Sequence, residues 1–319
     1  MKNIWLIGTG LIGAEYSKVL DALHVNHTII GRGEVSASKF EELRPGKKVI
    51  RGGVFDFLNT NPPLPDGAII AVGFHELYDV AKAIIQYGVK RIFLEKPGAD
   101  TTGKVIELNE LAQAQHADVF LAYNRRFYSS LLKAEQIIEE DGGVTSFNFE
   151  FTEWLHLFEE YNNRNNKNIL NDIFWGNSGH VLDTAFFLGG EPRDISCYTR
   201  TLDGDTFPKI FAGAGVSDKG ALFSYQANWD APGRWVVEIL TNKHRLYFKP
   251  METLQIQELR SVKVVPVEID DHLDKEFKPG FYLETKAFLD NDDTRLCSIK
   301  QQVERTDTVF KTISRNQVL

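Results

Sequence analysis

The chain has 319 residues, of which 43% are hydrophobic and 25% charged, and its formal net charge is -8 at pH 7. This length favours two domains, and the ordinary globular composition excludes a disordered chain. No apolar run approaches the roughly 18 residues that a membrane helix needs, and the acidic balance argues against a nucleic-acid partner. The N-terminus lacks the layout of a secretory signal, and the two cysteines do not make a disulfide framework. We therefore expect a cytoplasmic protein whose partner is a small molecule.

The first predicted element is a short apolar strand at residues 4–7, which leads into a G-x-G-x-x-G turn and then into an amphipathic helix. In such a turn Gly8 permits the tight bend, Gly10 lets backbone amides approach a pyrophosphate, and Gly13 lets the helix pack closely on the strand. The free amides and positive dipole end at the helix N-terminus also favour an anion. The residues predicted to bind a dinucleotide here are Gly8, Thr9, Gly10, Leu11, Ile12 and Gly13.

The second predicted strand, at residues 28–30, ends where an NAD-binding unit places its ribose-binding carboxylate. No carboxylate stands at that position. Arg32 occupies it, with Ser36 just beyond, and this pair suits the 2′-phosphate of NADP. Glu34 supports the alternative, because a longer loop would bring its carboxylate onto the ribose hydroxyl of NAD. The sequence therefore favours NADP and leaves NAD open.

Strands and helices continue to alternate up to residue 122. After a proline-rich connection at residues 61–65, apolar runs predict strands at 68–72, 91–94 and 119–122 and helices at 76–87 and 104–114. This order is typical of a doubly wound parallel sheet in an α/β domain. We assign residues 1–122 to a dinucleotide-binding Rossmann domain.

The pattern changes after a helix at residues 131–138. Phe147, Phe149 and Phe151 alternate with polar residues, which is the period of two expected for a half-buried strand. Similar runs at 195–199, 221–227, 235–240, 245–248 and 262–268 predict a mostly antiparallel sheet. Helices are predicted at 180–188 and from Ser298 onward, where Gln301 completes a capping box. Residues 123–319 are therefore predicted to form an α+β domain.

Three further motifs accompany the glycine-rich turn, in the order Glu95-Lys96-Pro97, Asn124-Arg125-Arg126-Phe127 and His180-Val181-Leu182-Asp183. Together they give nearly the whole chain a resemblance to the family of glucose-fructose oxidoreductases, inositol dehydrogenases and rhizopine-catabolism oxidoreductases. The resemblance implies a Rossmann domain followed by an open-faced, mostly antiparallel sheet that often makes oligomer contacts. It also implies hydride exchange between a nicotinamide and the secondary alcohol or ketone of a sugar, sugar derivative or cyclic polyol.

Two residues of these motifs are candidates for acid-base catalysis. Oxidation of a secondary alcohol needs a group that accepts the hydroxyl proton. Lys96 is predicted at the carboxyl end of a parallel strand, where such sheets bind ligands, and partial desolvation lowers the pKa of a lysine. His180 is the second candidate, with Asp183 one helical turn further on to orient its imidazole. We expect Lys96 and His180 to face one cleft between the domains.

Other site residues are predicted around this pair. The resemblance implies cofactor-side contacts from Glu95 and Asn124 and a substrate-side contact from Arg125. Lys96 is predicted to contact both the substrate hydroxyl and the nicotinamide ribose of the cofactor. The remaining predicted substrate residues are Trp175 and Asn177, and Trp154 and Tyr161 are further aromatic candidates for stacking on a sugar ring. The chain departs from the family at Gly176, because many relatives carry an aspartate four residues before the histidine.

Three other classes of function match the sequence less well than an oxidoreductase does. Gly176-Asn177-Ser178-Gly179 begins like a nucleophile elbow but has His180 in place of the second framing glycine. His75-Glu76 lacks the second histidine of a zinc motif, so no metal site is predicted. A cofactor-binding sensor that has lost catalysis stays open as the alternative, because the usual aspartate is missing.

The sequence also predicts self-association. A largely antiparallel sheet with one face covered by helices leaves the other face to be buried. We expect a homodimer or homotetramer joined through this exposed face. Phe223, Tyr225 and Trp235 are the candidate contributors, and the core of the domain is the alternative location for each.

Overall fold

The computed structural model describes residues 2–158, 171–203, 205 and 207–315. The chain divides into two compact units, each built on one sheet. The first comprises Met1–Asn124 and Leu273–Val303, and the second comprises Arg125–His272 and Glu304–Leu319.

The first unit contains a seven-stranded sheet. Its parallel strands are β1 (Asn3–Ile7), β2 (Asn26–Ile30), β3 (Val49–Ile50), β4 (Gly67–Ile70), β5 (Arg91–Leu94) and β6 (Asp118–Leu121). The short strand Cys297–Ser298 adds antiparallel to the edge of β6. The spatial order is therefore Cys297–Ser298, β6, β5, β4, β1, β2 and β3. This order confirms the predicted doubly wound parallel sheet.

Five helices alternate with the parallel strands. They are α1 (Leu11–Ala22), α2 (Glu34–Leu43), α3 (Gly53–Asn59), α4 (Leu77–Tyr87) and α5 (Thr102–Ala114), and short 3-10 turns cover Phe74–Glu76 and Asn124–Phe127. Helix α4 buries six residues on one face, as its apolar spacing predicts. Helices α2 and α3 and strand β3 were not predicted. Helix α2 buries only Ala37 and Phe40, α3 has only seven residues and β3 has two.

Residues 273–303 belong to the first unit, although the sequence analysis assigned them to the second domain. The segment contains the end of the helix His272–Glu276, the helix Phe281–Asp290 and most of the helix Ile299–Arg305. Phe281 stacks on Tyr16 at 4.7 Å and Phe288 stacks on Phe93 at 5.1 Å between ring centroids. Aromatic packing and the added edge strand therefore attach this segment to the Rossmann unit, a long-range pairing that local sequence patterns do not reveal.

The second unit contains an eight-stranded sheet. Its strands are β7 (Ser146–Phe151), β8 (Pro192–Arg200), β9 (Ile210–Ser217), β10 (Leu222–Asn228), β11 (Trp235–Leu240), β12 (His244–Phe248), β13 (Gln255–Glu258) and β14 (Val264–Pro266). Their spatial order is β14, β13, β12, β11, β7, β10, β9, β8. Only the pairing of β7 with β10 is parallel among the described strands of this sheet. The sheet is therefore mostly antiparallel, as predicted.

Helices cover one face of this sheet. The described helices of the unit are α6 (Ser129–Glu140), a π-helix (Asn171–Ser178), α7 (Gly179–Gly189), a second π-helix (Thr306–Lys311) and the single turn Thr312–Ser314. Phe186 of α7 packs edge-on against Phe149 and Phe223 of the sheet. No helix in the described ranges is long and apolar enough to cross a membrane.

The residues predicted to join subunits lie on the covered face. Phe223, Tyr225 and Trp235 are only 3%, 4% and 7% exposed, so the core alternative holds for these three residues. The predicted alternation of buried and exposed residues along the strands is correct, but these three residues lie on the face that α7 covers and not on the exposed face. The opposite face instead exposes Leu222 at 64% and Tyr198 at 69%.

Strand β9 was not predicted because its sequence contains two glycines. Gly213 pairs with Tyr225 and Gly215 pairs with Phe223 across the β9–β10 ladder. A Cβ atom at Gly213 would lie 2.4 Å from the Tyr225 ring, and one at Gly215 would lie 2.6 Å from the Phe223 ring. The glycines are therefore needed to seat these rings, although glycine alone suggests a break in a strand.

Candidate functional site

The glycine-rich turn has the geometry that its spacing predicts. Gly8 has φ +117°, and a Cβ atom there would lie 2.1 Å from the carbonyl oxygen of Ala71. A Cβ atom at Gly13 would lie 2.1 Å from the carbonyl oxygen of Gly8, so α1 packs directly on the turn. Gly10 has no neighbouring heavy atom within 4 Å of its Cβ position and precedes the first residue of α1. Two glycines thus permit close packing, and the third leaves the helix N-terminus open.

A cavity of about 700 Å³ opens at this turn, within the size range of cofactor sites. It lies at the carboxyl ends of β1, β4 and β5, the edge at which doubly wound sheets bind ligands. The predicted cofactor residues that line it are Gly8, Thr9, Gly10, Leu11, Ile12, Arg32, Ser36, Glu95 and Lys96. The first unit therefore brings nine of the eleven predicted cofactor residues to one cavity.

The other two predicted residues do not line this cavity. Gly13 is buried beneath the turn, where its role is packing. Asn124 is 5% exposed, and its side-chain amide donates a 3.0 Å hydrogen bond to the carbonyl oxygen of Pro279. In the first unit Asn124 therefore attaches the segment 273–303 to the end of β6.

Arg32 and Glu34 have different surroundings beyond β2. Arg32 lines the cavity and forms an ion pair with Glu76. Glu34 is absent from the cavity wall, and its carboxylate accepts a 2.7 Å hydrogen bond from Nε of Arg51. Ser36 also lines the cavity and accepts a hydrogen bond from the hydroxyl of Thr9. The cation of this loop, and not its carboxylate, thus lies at the cavity.

Lys96 follows the end of β5. Its neighbour, the half-buried Glu95, forms an acidic pair with the buried Glu284. The Tyr16 hydroxyl oxygen lies 3.1 Å from Oε1 of Glu95 and 3.2 Å from Oε1 of Glu284. A phenol carries one proton, so the Tyr16 hydroxyl donates fully to only one of these two oxygens at a time. Burial raises the pKa of both glutamates, and that of the completely buried Glu284 lies well above its ordinary value. The positive charge of Lys96 opposes the rise in the pKa of Glu95, so the neutral acid is favoured at Glu284.

In the second unit, His180 occupies the first turn of α7 and is 8% exposed. Its imidazole lies 6.0 Å from the ring of Trp235, measured between centroids. The indole N–H of Trp235 donates a 3.1 Å hydrogen bond to Oε1 of Glu153. We call Trp235, His180, Glu153, Arg125 and Arg234 the Trp235 cluster.

Glu153 is a carboxylate that the sequence analysis missed. It is 1% exposed and accepts hydrogen bonds from Ser178 at 2.6 Å and Asn177 at 2.9 Å, the residues that lead into α7. Burial is the largest influence on its pKa and outweighs these donors, so that the pKa rises to about 7. Gly176 stands four residues before His180, and Glu153 instead reaches the same helix end from the segment after β7.

Two guanidinium groups lie against the indole of Trp235. Cζ of Arg125 is 4.7 Å and Cζ of Arg234 is 4.4 Å from the ring centroid. Arg234 also forms a 3.3 Å ion pair with Glu153, whereas Arg125 has no ion pair or side-chain hydrogen bond among the described residues. Burial lowers the pKa of Arg125, the direction expected for a desolvated cation.

Asp183 does not have the predicted role of orienting His180. Its carboxylate accepts hydrogen bonds of 3.1, 3.0 and 2.6 Å from Arg126 and further hydrogen bonds from Arg305. All three side chains are at most 3% exposed. Since a buried carboxylate needs compensating charge, its two arginine partners take the place of the imidazole. His180 and Asp183 lie one turn apart on α7, as predicted, but the sequence pattern did not reveal that Arg126 and Arg305 pair with Asp183.

The predicted substrate residues beside His180 are divided by burial. Trp175 is completely buried and packs edge-on against Phe310 at 4.5 Å, so it is a core residue and its predicted stacking role is wrong. Asn177 is half-buried and holds Glu153. Trp154 is 44% exposed with Arg234 4.8 Å from its ring. Tyr161 lies outside the described residues.

The comparisons with known proteins agree with this architecture. Residues 2–123 match the model of a family described as an oxidoreductase family with an NAD-binding Rossmann fold. An uncharacterized oxidoreductase of Schizosaccharomyces pombe is 28% identical over 122 residues, which are 37% of this chain and 32% of that protein. The chain thus aligns with about a third of the length of this curated relative.

Solved structures share the fold over the whole chain. An oxidoreductase from Agrobacterium radiobacter in complex with NAD+, L-tartaric acid and magnesium has a TM-score of 0.76 at 10% identity, covering 100% of this chain and 98% of its own. Levoglucosan dehydrogenase in complex with NADH and L-sorbose has a TM-score of 0.75 at 17% identity, with coverage of 100% and 98%. The N-terminal domain is therefore similar to the oxidoreductase family with an NAD-binding Rossmann fold, and the whole chain shares the fold of these solved structures.

Proposed function

We propose that this protein transfers hydride between a nicotinamide cofactor and the secondary alcohol or ketone of a sugar, sugar derivative or cyclic polyol. The observation that carries the proposal is the position of Lys96, which lines the same cavity as the glycine-rich turn. The amino group of Lys96 is placed there to accept a proton from a substrate hydroxyl in its neutral form and to return the proton as an ammonium. Levoglucosan dehydrogenase, which shares the fold, supports the sugar class because it is described with NADH and L-sorbose.

In this proposal the cavity residues hold the cofactor. The open amides at Gly10 and the N-terminus of α1 would bind its pyrophosphate. The bound nicotinamide would supply or accept the hydride. Lys96 would take the hydroxyl proton during oxidation and return it during reduction, and Glu95, held by Tyr16, would stabilise the charged lysine.

His180 is proposed as the second acid-base group. Its imidazole is held beside Trp235, and Glu153 fixes the residues that precede it. His180→Asn should lower kcat by about 10- to 100-fold and shift the pH dependence of turnover. A kcat within threefold of the unmutated value and an unchanged pH profile would remove His180 from the mechanism.

We further propose that NADP is preferred over NAD. Arg32 lines the cavity, whereas Glu34 is held by Arg51. The ion pair of Arg32 with Glu76 is a weak competitor, because both side chains are exposed, at 77% and 39%, and exposed pairs contribute about 0–1 kcal/mol. A guanidinium to phosphate contact contributes about 1.5 to 3 kcal/mol, or roughly 10- to 100-fold in affinity.

Calorimetric titration tests the cofactor preference. Arg32→Ala should weaken NADP binding by the factor given above and leave NAD binding within a few fold. Glu34→Gln is the matched control, and it should change neither affinity if Glu34 does not touch the ribose. Equal affinities of the unmutated protein for NAD and NADP would contradict the preference.

The overall function is tested by a screen of sugars, sugar derivatives and inositols with each cofactor, read by the absorbance of the reduced nicotinamide. We expect stoichiometric cofactor reduction with at least one member of this set. Cofactor binding without turnover of any member would instead support a sensor that has lost catalysis.

A further inference from the structure

Arg125 is an unusual cation among the described residues of the second unit. Its side chain is half-buried, and Nε is buried with no hydrogen-bond partner. The buried Arg126 and Arg305, by contrast, are both paired with Asp183. Removing a cation from water costs free energy unless an anion or hydrogen-bond acceptor compensates it.

Aromatic rings position this guanidinium without neutralising it. Cζ of Arg125 lies 4.7 Å from the centroid of Trp235 and 5.7 Å from that of Tyr128, which are cation–π distances. The Trp235 indole is fixed in turn by its hydrogen bond to Glu153. Arg125 is therefore oriented in advance and keeps its donors for another group.

The charges of the Trp235 cluster favour an anion. The cluster contains two arginines and one carboxylate, and that carboxylate is already engaged by Arg234 at 3.3 Å. Glu252 also acts on Arg125 through space, but it is exposed and forms no ion pair with it among the described residues. One positive charge thus remains uncompensated beside His180, the proposed proton-transfer group.

We propose that Arg125 binds an anionic group of the substrate, so that the protein acts on acidic sugars or polyols that carry a carboxylate or a phosphate. The planar fork of a guanidinium matches either oxyanion in a bidentate contact. This inference rests on the proposed function, because it names the class of substrate for that activity. It also explains why this arginine is held against aromatic rings and not against a carboxylate.

The test compares a neutral sugar with related compounds that carry one anionic group. D-glucose is compared with D-glucuronate, D-gluconate and D-glucose 6-phosphate, each with NAD and NADP, for the unmutated protein and Arg125→Gln. We expect higher kcat/KM for at least one acid than for glucose. Arg125→Gln should lower kcat/KM for that acid by about 10- to 100-fold more than it lowers kcat/KM for glucose. The acid that responds, carboxylate or phosphate, identifies the anion.

Binding is measured separately from turnover by tryptophan fluorescence, because Trp235 lies against Arg125. The acid should change the emission of the unmutated protein, with a dissociation constant that rises about 10- to 100-fold in Arg125→Gln. Trp235→Phe identifies the reporting residue, and Arg193→Gln, which removes an exposed arginine of β8, controls for net charge. Thermal melting of each variant verifies that it folds, and Arg125→Lys, which keeps the charge, should retain part of the binding.

The outcomes separate this inference from the proposed function. Turnover of glucose at least equal to that of every acid, or an equal loss for both classes in Arg125→Gln, overturns the inference and leaves the oxidoreductase in place. Arginine-dependent binding of an acid without cofactor reduction supports the anion site and contradicts the proposed function. If none of the acids changes the fluorescence or is turned over, the anion site is refuted.

Discussion

Replacement of Glu153 by glutamine removes a buried titratable group while preserving its shape. Glutamine resembles the neutral acid, and its oxygen retains the hydrogen bonds from Ser178 and Trp235. The new amide faces Asn177, whose side chain satisfies it by rotating its own amide. Arg234 loses its partner, but its side chain is 40% exposed and is solvated instead. The expected effect is therefore dominated by the titration of Glu153.

The direction follows from the pKa of this carboxyl, which burial raises from 4.5 to about 7. Because the folded-state value lies above the unfolded value, the native protein holds the proton more tightly than the unfolded chain. The contribution to stability is complete below about pH 4.5 and is lost as the pH rises through about 7. The shift from 4.5 to about 7 corresponds to about 3 kcal/mol, and the carboxyl is 1% exposed, so solvent screening is small. The free energy of unfolding of Glu153→Gln, relative to that of the unmutated protein, should therefore rise by about 3 kcal/mol between about pH 4.5 and pH 8.

Urea unfolding at several pH values, followed by tryptophan fluorescence, measures this difference. Four of the five tryptophans, at positions 154, 175, 229 and 235, lie in the second unit, so the signal reports mainly on the unit that contains Glu153. The reasoning is refuted if the difference in unfolding free energy between the two proteins stays constant within about 0.5 kcal/mol over this pH range.

Three other predictions concern the described contacts. Asp183→Asn should destabilise the protein by about 3 to 5 kcal/mol because two buried arginines lose their shared carboxylate. The control is Asp290→Asn, which removes an exposed ion pair. A decrease in the free energy of unfolding below about 1 kcal/mol for Asp183→Asn, similar to that of the control, would contradict the prediction. Glu284→Gln should become more stable than the unmutated protein as the pH rises above the ordinary glutamate pKa, because the raised pKa of Glu284 makes its ionisation in the native state costly. A difference in unfolding free energy between the two proteins that is the same at every pH would contradict this prediction. The exposed face of the second sheet should join subunits into a homodimer or homotetramer, so that Tyr198→Lys lowers the mass found by light scattering; a monomeric mass of the unmutated protein at micromolar concentration would end this proposal.

The first unit was largely predictable because its signals are local. Strand β1 is apolar, its turn carries glycines at positions 8, 10 and 13, and both glycine packing contacts follow from that spacing. The attachment of residues 273–303 was not predictable in this way, since the stacking of Phe281 on Tyr16 joins positions far apart in the chain.

The candidate site in the second unit was less predictable because burial and pairing determine each role there. His180 and Asp183 share a helical face in any reading, but the arginines that engage Asp183 come from residues 126 and 305. Trp175 resembles a sugar-stacking aromatic until its complete burial against Phe310 is known. Glu153 has no motif of its own, and only the fold brings it to the residues before His180.

The most direct test of the proposed chemistry is the turnover of Lys96→Met on a substrate identified by the sugar screen. Lys96 lines the cofactor cavity but is proposed to act on the substrate proton, so its loss should affect chemistry and spare cofactor binding. We predict that kcat falls by about 100- to 10,000-fold while the calorimetric affinity for the cofactor stays within a few fold. A Lys96→Met protein that turns over its substrate within about tenfold of the unmutated rate would contradict the assignment of Lys96 as the acid-base group.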